Sequence, residues 1–221
     1  MRGLARRVRG GRRGFTLIEA ALATVIIGVG VVAIIEAQGS FMRSNNWSSH
    51  AATGTLLGNE IREMSNRLPR HDPVTGLWID DSSGEEVLVG WGIEANELTI
   101  DDIDDVDDLD GLVFGSTGTF PGPIDAFGQI IPQTLPDGTV VLGQNGEPLP
   151  LEGWTQSVTV EKISPTNFAT LLENDYRDDP NSNPFWRDVH QFPLRVTVTV
   201  TYQGPFDVSP TEVTRVSWIV P

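Results

Sequence analysis

Residues 20–35 of this 221-residue chain carry no charge at all. Counted from Phe15, the apolar segment is 21 residues, which as a helix is about 31 Å long and long enough to cross a bilayer core. A single acid, Glu19, sits near its start. A carboxylate in such a segment is costly in lipid unless it meets a partner, so Glu19 is a functional residue by default. The segment is preceded by a leader whose charges are all basic: Arg2, Arg6, Arg7, Arg9, Arg12 and Arg13.

The stretch Arg12-Arg13-Gly14-Phe15-Thr16-Leu17-Ile18-Glu19 resembles the N-terminus of type IV prepilins and of the related pseudopilins of type II secretion. The resemblance implies that a prepilin peptidase/methyltransferase cuts between Gly14 and Phe15 and N-methylates Phe15. It also implies a mature filament subunit, in which Glu19 neutralises the Phe15 amine of a neighbouring pilin or pseudopilin. A secretory signal peptide would end in a small-x-small cleavage site after a shorter apolar region. Here the apolar run passes instead into Glu36-Ala37-Gln38. A twin-arginine signal would be less apolar and would not carry Glu19.

Charge is divided unevenly along the chain. Six of the 15 basic residues fall in the first 14, leaving nine against 30 acidic ones, a net charge of −21 for the remainder. Such a surface argues against direct nucleic-acid binding, which neutralises phosphates with lysine and arginine. The arginine leader satisfies the positive-inside rule. It predicts a single pass through the bacterial inner membrane, with lipid around the helix and the acidic part extracytoplasmic, before entry into a pilus or pseudopilus. The chain has no cysteine, whereas many pilins close a C-terminal loop with a disulfide.

The fold expected is α+β: one long N-terminal helix with an antiparallel sheet packed on its second half. Four parts are expected: a cleaved leader over 1–14, a transmembrane or filament-core helix over 15–37, its extracytoplasmic continuation over 38–68, and a β-rich head over 69–221. Phe41, Ser44, Ala51, Leu57, Ile61, Met64 and Leu68 recur near helical spacing, and Pro69 should end the helix. Period-two alternation predicts strands at 87–93, at Val158 and Val160, over 194–202, and through Val213, Val216, Trp218 and Val220. Asp137-Gly138 and Asn145-Gly146 mark turns around short strand candidates at 139–142. Segments 115–138 and 173–193 have loop composition.

Residues 101–111 read Asp-Asp-Ile-Asp-Asp-Val-Asp-Asp-Leu-Asp-Gly. Oxygen ligands at this density suit Ca²⁺, with Asp104, Asp105, Asp107, Asp108 and Asp110 as candidate ligands. The segment is no EF-hand: with Gly111 as the loop glycine, Val106 and Thr117 occupy the terminal ligand positions. The competing reading is a solvated acidic turn with Ile103, Val106 and Leu109 packed on one side. Residues 104–111 also resemble a run in the D-type minor pilins of mannose-sensitive haemagglutinin pili.

Catalytic patterns are missing. His50, His71 and His190 are isolated, with no zinc spacing, and no serine sits in a nucleophile elbow. Asp72, Asp80 and Asp81 lie near His71, but an exposed loop histidine is the simpler reading. Trp78, Trp91, Trp154, Trp186 and Trp218 are expected to pack in the sheet region, and Trp47 against the head or a neighbour. The sequence thus describes a non-enzymatic minor pilin or pseudopilin without an obligatory cofactor, Ca²⁺ excepted. The alternative is a single-pass anchored binding module with a Ca²⁺-binding acidic loop.

Overall fold

The computed structural model describes residue 14 and residues 16–95, 97–181 and 184–221. The expected leader, Gly14 excepted, and the expected new terminus at Phe15 lie outside the described residues. The chain divides into two units, Met1–Ser48 and Ser49–Pro221. Helix α1, Leu17–Ser65, begins in the first and ends in the second.

In the first unit the apolar part of α1 is bare. Leu22, Val25, Ile26, Ile27, Val29 and Ile34 are all exposed, and none of the apolar window is buried within the chain. By length and composition the helix can cross a membrane. The hydroxyl in its uncharged stretch is internally satisfied, since Thr24 Oγ1 donates to Ala20 O at 2.9 Å. Such back-bonding is what an apolar surrounding requires of a helix-borne hydroxyl. Trp47 is exposed.

In the second unit the end of α1 buries Gly54, Leu57, Gly58, Ile61, Met64 and Ser65, one face at helical spacing. The packed stripe therefore starts at Gly54; Phe41 and Ser44, expected on it, are exposed. The helix also stops at Ser65 rather than near Leu68. Arg67 N donates to Met64 O and Leu68 N to Ser65 O, the tightened i to i−3 pattern of a terminating turn ahead of Pro69.

Strands β1 (Trp78–Asp80) and β2 (Val87–Val89) form a two-stranded antiparallel hairpin. Strands β3 (Val113–Phe114), β4 (Trp154–Lys162), β5 (Leu194–Tyr202) and β6 (Thr211–Val220) form an antiparallel sheet in that order. β5 is the strand expected from its alternation, with Leu194, Val196, Val198 and Val200 fully buried. The strand expected at 87–93 ends at Val89 because Gly90 has φ +82°, and a Cβ there would lie 2.2 Å from Gly76 O. Trp91 and Ile93 still pack against the core.

β4 is far longer than its valines indicate, because two inward positions are polar. Gln156 is fully buried. Its Nε2 donates to Leu57 O at 2.8 Å and to Ile124 O at 3.0 Å, and its Oε1 accepts from Ile124 N at 2.8 Å. Helix, sheet and the 115–138 segment are thus tied at one satisfied amide. Lys162, also fully buried, donates to Asn174 O and Tyr176 O and lies over the Phe192 ring. Segments 115–138 and 173–193 are irregular as expected, although Ile124, Val189 and Phe192 in them are core residues. Around 139–142 there are only isolated bridges, Thr134 to Val140 and Leu142 to Pro148, not strands. The glycine turns beside them do form, with φ +85° at Gly138 and +78° at Gly146. Trp154, Trp91 and Trp218 are core or packed against it. Trp78 and Trp186 are about half exposed, contrary to the packing expected of them.

β6 packs against the helix at two glycines. Its pairing with β5 shifts between Val200 and Thr201, so a bulge turns both Val213 and Thr214 towards Gly54. The shift accounts for the three-residue gap between Val213 and Val216 in an otherwise alternating strand. A Cβ at Gly54 would meet Val213 Cγ1 at 2.9 Å, and one at Gly58 would meet Val216 Cγ2 at 2.7 Å. These two glycines let the helix approach the sheet; Gly28 and Gly30 face open space. Valine is stiff at χ1 and cannot swing aside freely. Gly58→Val should therefore destabilise the second unit by about 2 kcal/mol through overpacking, read as a lower urea midpoint with an unchanged slope.

Candidate functional site

Two places carry the functional residues expected from the sequence. The first is the start of α1. Thr16 O accepts the first helical bond, from Ala20 N at 3.1 Å, which makes Thr16 the N-cap. Glu19 N donates to Thr16 Oγ1 at 3.3 Å, and Glu19 Oε2 accepts from Thr16 N at 3.0 Å and from Thr16 Oγ1 at 3.0 Å. That reciprocal pair is a capping box. Glu19 thereby has a role inside its own chain: it closes the orphan donors of the helix start and places a negative charge at the positive end of the dipole. Gly14 is exposed. Phe15, the expected site of cleavage and methylation, lies outside the described residues.

The second place is the aspartate run. Ile103, Val106, Leu109 and Leu112 are buried in the core, so the apolar members pack as expected. Val106 N donates to Pro69 O, Gly111 N to Val158 O, and Val158 N to Leu112 O, which seals the run against the helix exit and β4. The acids do not all face water. Asp105, Asp107 and Asp108 are each 1% exposed or less, which corrects the solvated-turn reading.

The five aspartates expected as ligands separate into two groups. Asp107 Oδ1 pairs with His71 Nδ1 at 2.8 Å, and Asp107 Oδ2 accepts from Gly92 N at 3.4 Å. Asp110 Oδ2 accepts from Trp91 Nε1 at 3.1 Å, and Asp110 Oδ1 from Val160 N at 2.9 Å. Both are structural clamps between the run and its neighbours. His71 is accordingly not an exposed loop histidine: its side chain is 7% exposed. Burial drives this pair towards its uncharged forms, Asp107 up to about 7 and His71 down to about 4.

Asp104, Asp105 and Asp108 converge instead, with carboxylate oxygens within 4.8 Å of one another. Glu94, Glu97 and Asp108 likewise have carboxylate oxygens within 4.8 Å of one another. Nothing in the run pointed to these glutamates, since they lie outside it; a Glu-x-x-Glu turn shortly before an aspartate run was the available signal. Asp108 Oδ2 accepts from Asp104 N and Asp105 N, and Asp105 Oδ1 accepts from Asp108 N. Each side chain is thus oriented by the other's backbone. Asp105 Oδ2, Asp108 Oδ1 and both Glu94 carboxylate oxygens are buried without a hydrogen-bond donor. Burial, with the neighbouring carboxylates adding to it, raises Asp105 to about 8, Asp108 to about 7 and Glu94 to about 8.

Residues 9–35 match the family model of the prokaryotic N-terminal methylation motif. The match spans the last arginines ahead of the helix, the capping box and the bare apolar helix. It supports the type IV prepilin and pseudopilin family for this chain. No curated protein and no solved structure matches the chain, and the likeness of 104–111 to D-type minor pilins stays one of sequence.

Because Asp110 bridges Trp91 to β4, Asp110→Ala leaves two partly buried N–H donors unpaired. It should cost about 1–3 kcal/mol of stability, the same in chelator as in any divalent cation, by urea denaturation followed through tryptophan fluorescence.

Proposed function

We propose that the chain is the precursor of a structural, non-catalytic subunit of a type IV pilus or a type II secretion-like filament. The observation that carries this reading is the methylation motif at 9–35 on a helix whose apolar side chains have no cover within their own chain. The arginine leader holds the precursor's start in the cytoplasm of a bacterial cell. The helix crosses the inner membrane, and the sheet unit lies outside. A prepilin peptidase/methyltransferase cuts between Gly14 and Phe15 and methylates the new amine. Other pilin or pseudopilin subunits then replace lipid around the helix as the filament grows.

Glu19 supplies the charge that makes this transfer selective. In an apolar filament core an unpaired ammonium costs several kcal/mol, and a carboxylate of an adjacent subunit removes that cost. The Phe15 amine of one subunit and Glu19 of the next form such a pair, which sets the axial stagger. The capping box holds one carboxylate oxygen, Oε2, on Thr16 and leaves the other to face a partner.

Two substitutions separate the capping role from the pairing role. Glutamine at this position still caps, since the box accepts either residue, but it carries no charge. Glu19→Ala and Glu19→Gln should both be cleaved normally, and both should enter filaments at least about tenfold less than the unaltered chain, as measured by immunoblots of sheared filaments. Incorporation of Glu19→Gln at the normal level would reduce Glu19 to a helix cap, and normal incorporation of both would overturn the pairing of Glu19 with the Phe15 amine.

A further inference from the structure

We propose that Glu94, Glu97, Asp104, Asp105 and Asp108 form a site for one hard divalent cation, Ca²⁺ by its chemistry. The site is independent of the filament reading, since it belongs wholly to the second unit. Two separate observations carry it. The first is convergence: the Asp104, Asp105 and Asp108 oxygens, and the Glu94, Glu97 and Asp108 oxygens, each lie within 4.8 Å of one another, with Asp108 common to both sets. Oxygens on one Ca²⁺ at about 2.4 Å are at most about 4.8 Å apart, a condition that each set meets by itself, with Asp108 as the residue that joins them.

The second observation is an unmet demand. Asp105 and Asp108 are each 1% exposed, yet Asp105 Oδ2 and Asp108 Oδ1 have no donor. Their partner oxygens are held by backbone N–H groups, which leaves Asp105 Oδ2 and Asp108 Oδ1 as the oxygens free to meet a cation. Buried carboxylates normally find hydrogen bonds or a cation. None of the five residues takes part in an ion pair among the described residues.

The donor set chooses the ion. It is oxygen only, without imidazole or thiolate, which disfavours zinc and copper. Ca²⁺ accepts six to eight oxygens in uneven geometry, whereas Mg²⁺ demands a near-regular octahedron and gives up its waters reluctantly. A Ca²⁺ here would fasten the 94–97 turn to the aspartate run, and through the run to Pro69 and β4.

The test uses the full chain in detergent, stripped with chelator and then titrated with CaCl₂ or MgCl₂. Equilibrium dialysis should find one Ca²⁺ per chain. Calcium at about a hundredfold excess over its dissociation constant should raise the melting temperature of the second unit by about 5–10 °C, and magnesium should act at least tenfold more weakly. Asp105→Asn combined with Asp108→Asn should abolish the calcium shift while raising the melting temperature in chelator, because like charges are removed from a buried cluster. Asp101→Asn, an exposed neighbour, should leave the calcium response unchanged. Absence of bound Ca²⁺ on the unaltered chain, or a double variant that binds as the unaltered chain does, would overturn the site.

Discussion

A helix whose uncharged residues 20–35 have no cover within their own chain cannot be the free state of a protein in water. At roughly 25 cal/mol per Å² of exposed apolar surface, covering such a helix outweighs any single contact inside the sheet unit. Everything at the N-terminus answers that constraint. Thr24 satisfies its hydroxyl against the helix's own backbone, and Thr16 and Glu19 close the first turn against each other. Lipid and neighbouring subunits are the two environments that cover such a surface, and a filament subunit moves from one to the other.

The sheet unit solves a different problem, holding irregular segments in place without disulfides. It does so by joining distant pieces at a few satisfied polar groups. Gln156 ties the helix to the 115–138 segment. Asp110 ties Trp91 to β4, and Asp107 ties His71 to the aspartate run. Gly54 and Gly58 let the helix lie close against Val213 and Val216 of β6. The cation proposed for the acidic cluster would act in the same way at a place where buried carboxylate oxygens are left without a partner.

How much of this could be read from the sequence followed from how simple each local pattern was. The N-terminal helix and β5 obey a single periodicity and were legible as such. β4 was half hidden because Gln156 and Lys162 occupy inward positions, and a polar residue breaks the apparent alternation whether or not it is buried. β6 was legible except for its odd spacing, which needed the bulge. The hairpin strand at 87–93 was cut short by Gly90, whose positive φ follows from a close approach to Gly76 that no local pattern reveals. The aspartate run was misjudged most, since its composition speaks for solvent. Its burial comes from Ile103, Val106 and Leu109 drawing intervening acids into the core with them. The two glutamates of the cluster lie in a separate turn, brought near only by the fold.

The central claim is that the N-terminal motif is used as a processing signal and that the bare helix is thereby delivered to a filament. It is tested most directly by intact mass and N-terminal analysis of the chain recovered from membranes of a bacterium with its own prepilin peptidase. The account predicts a chain beginning at Phe15, heavier by one methyl group where methylation is complete. A chain that keeps its residues through Gly14, or one cut beyond Ala37, would contradict it.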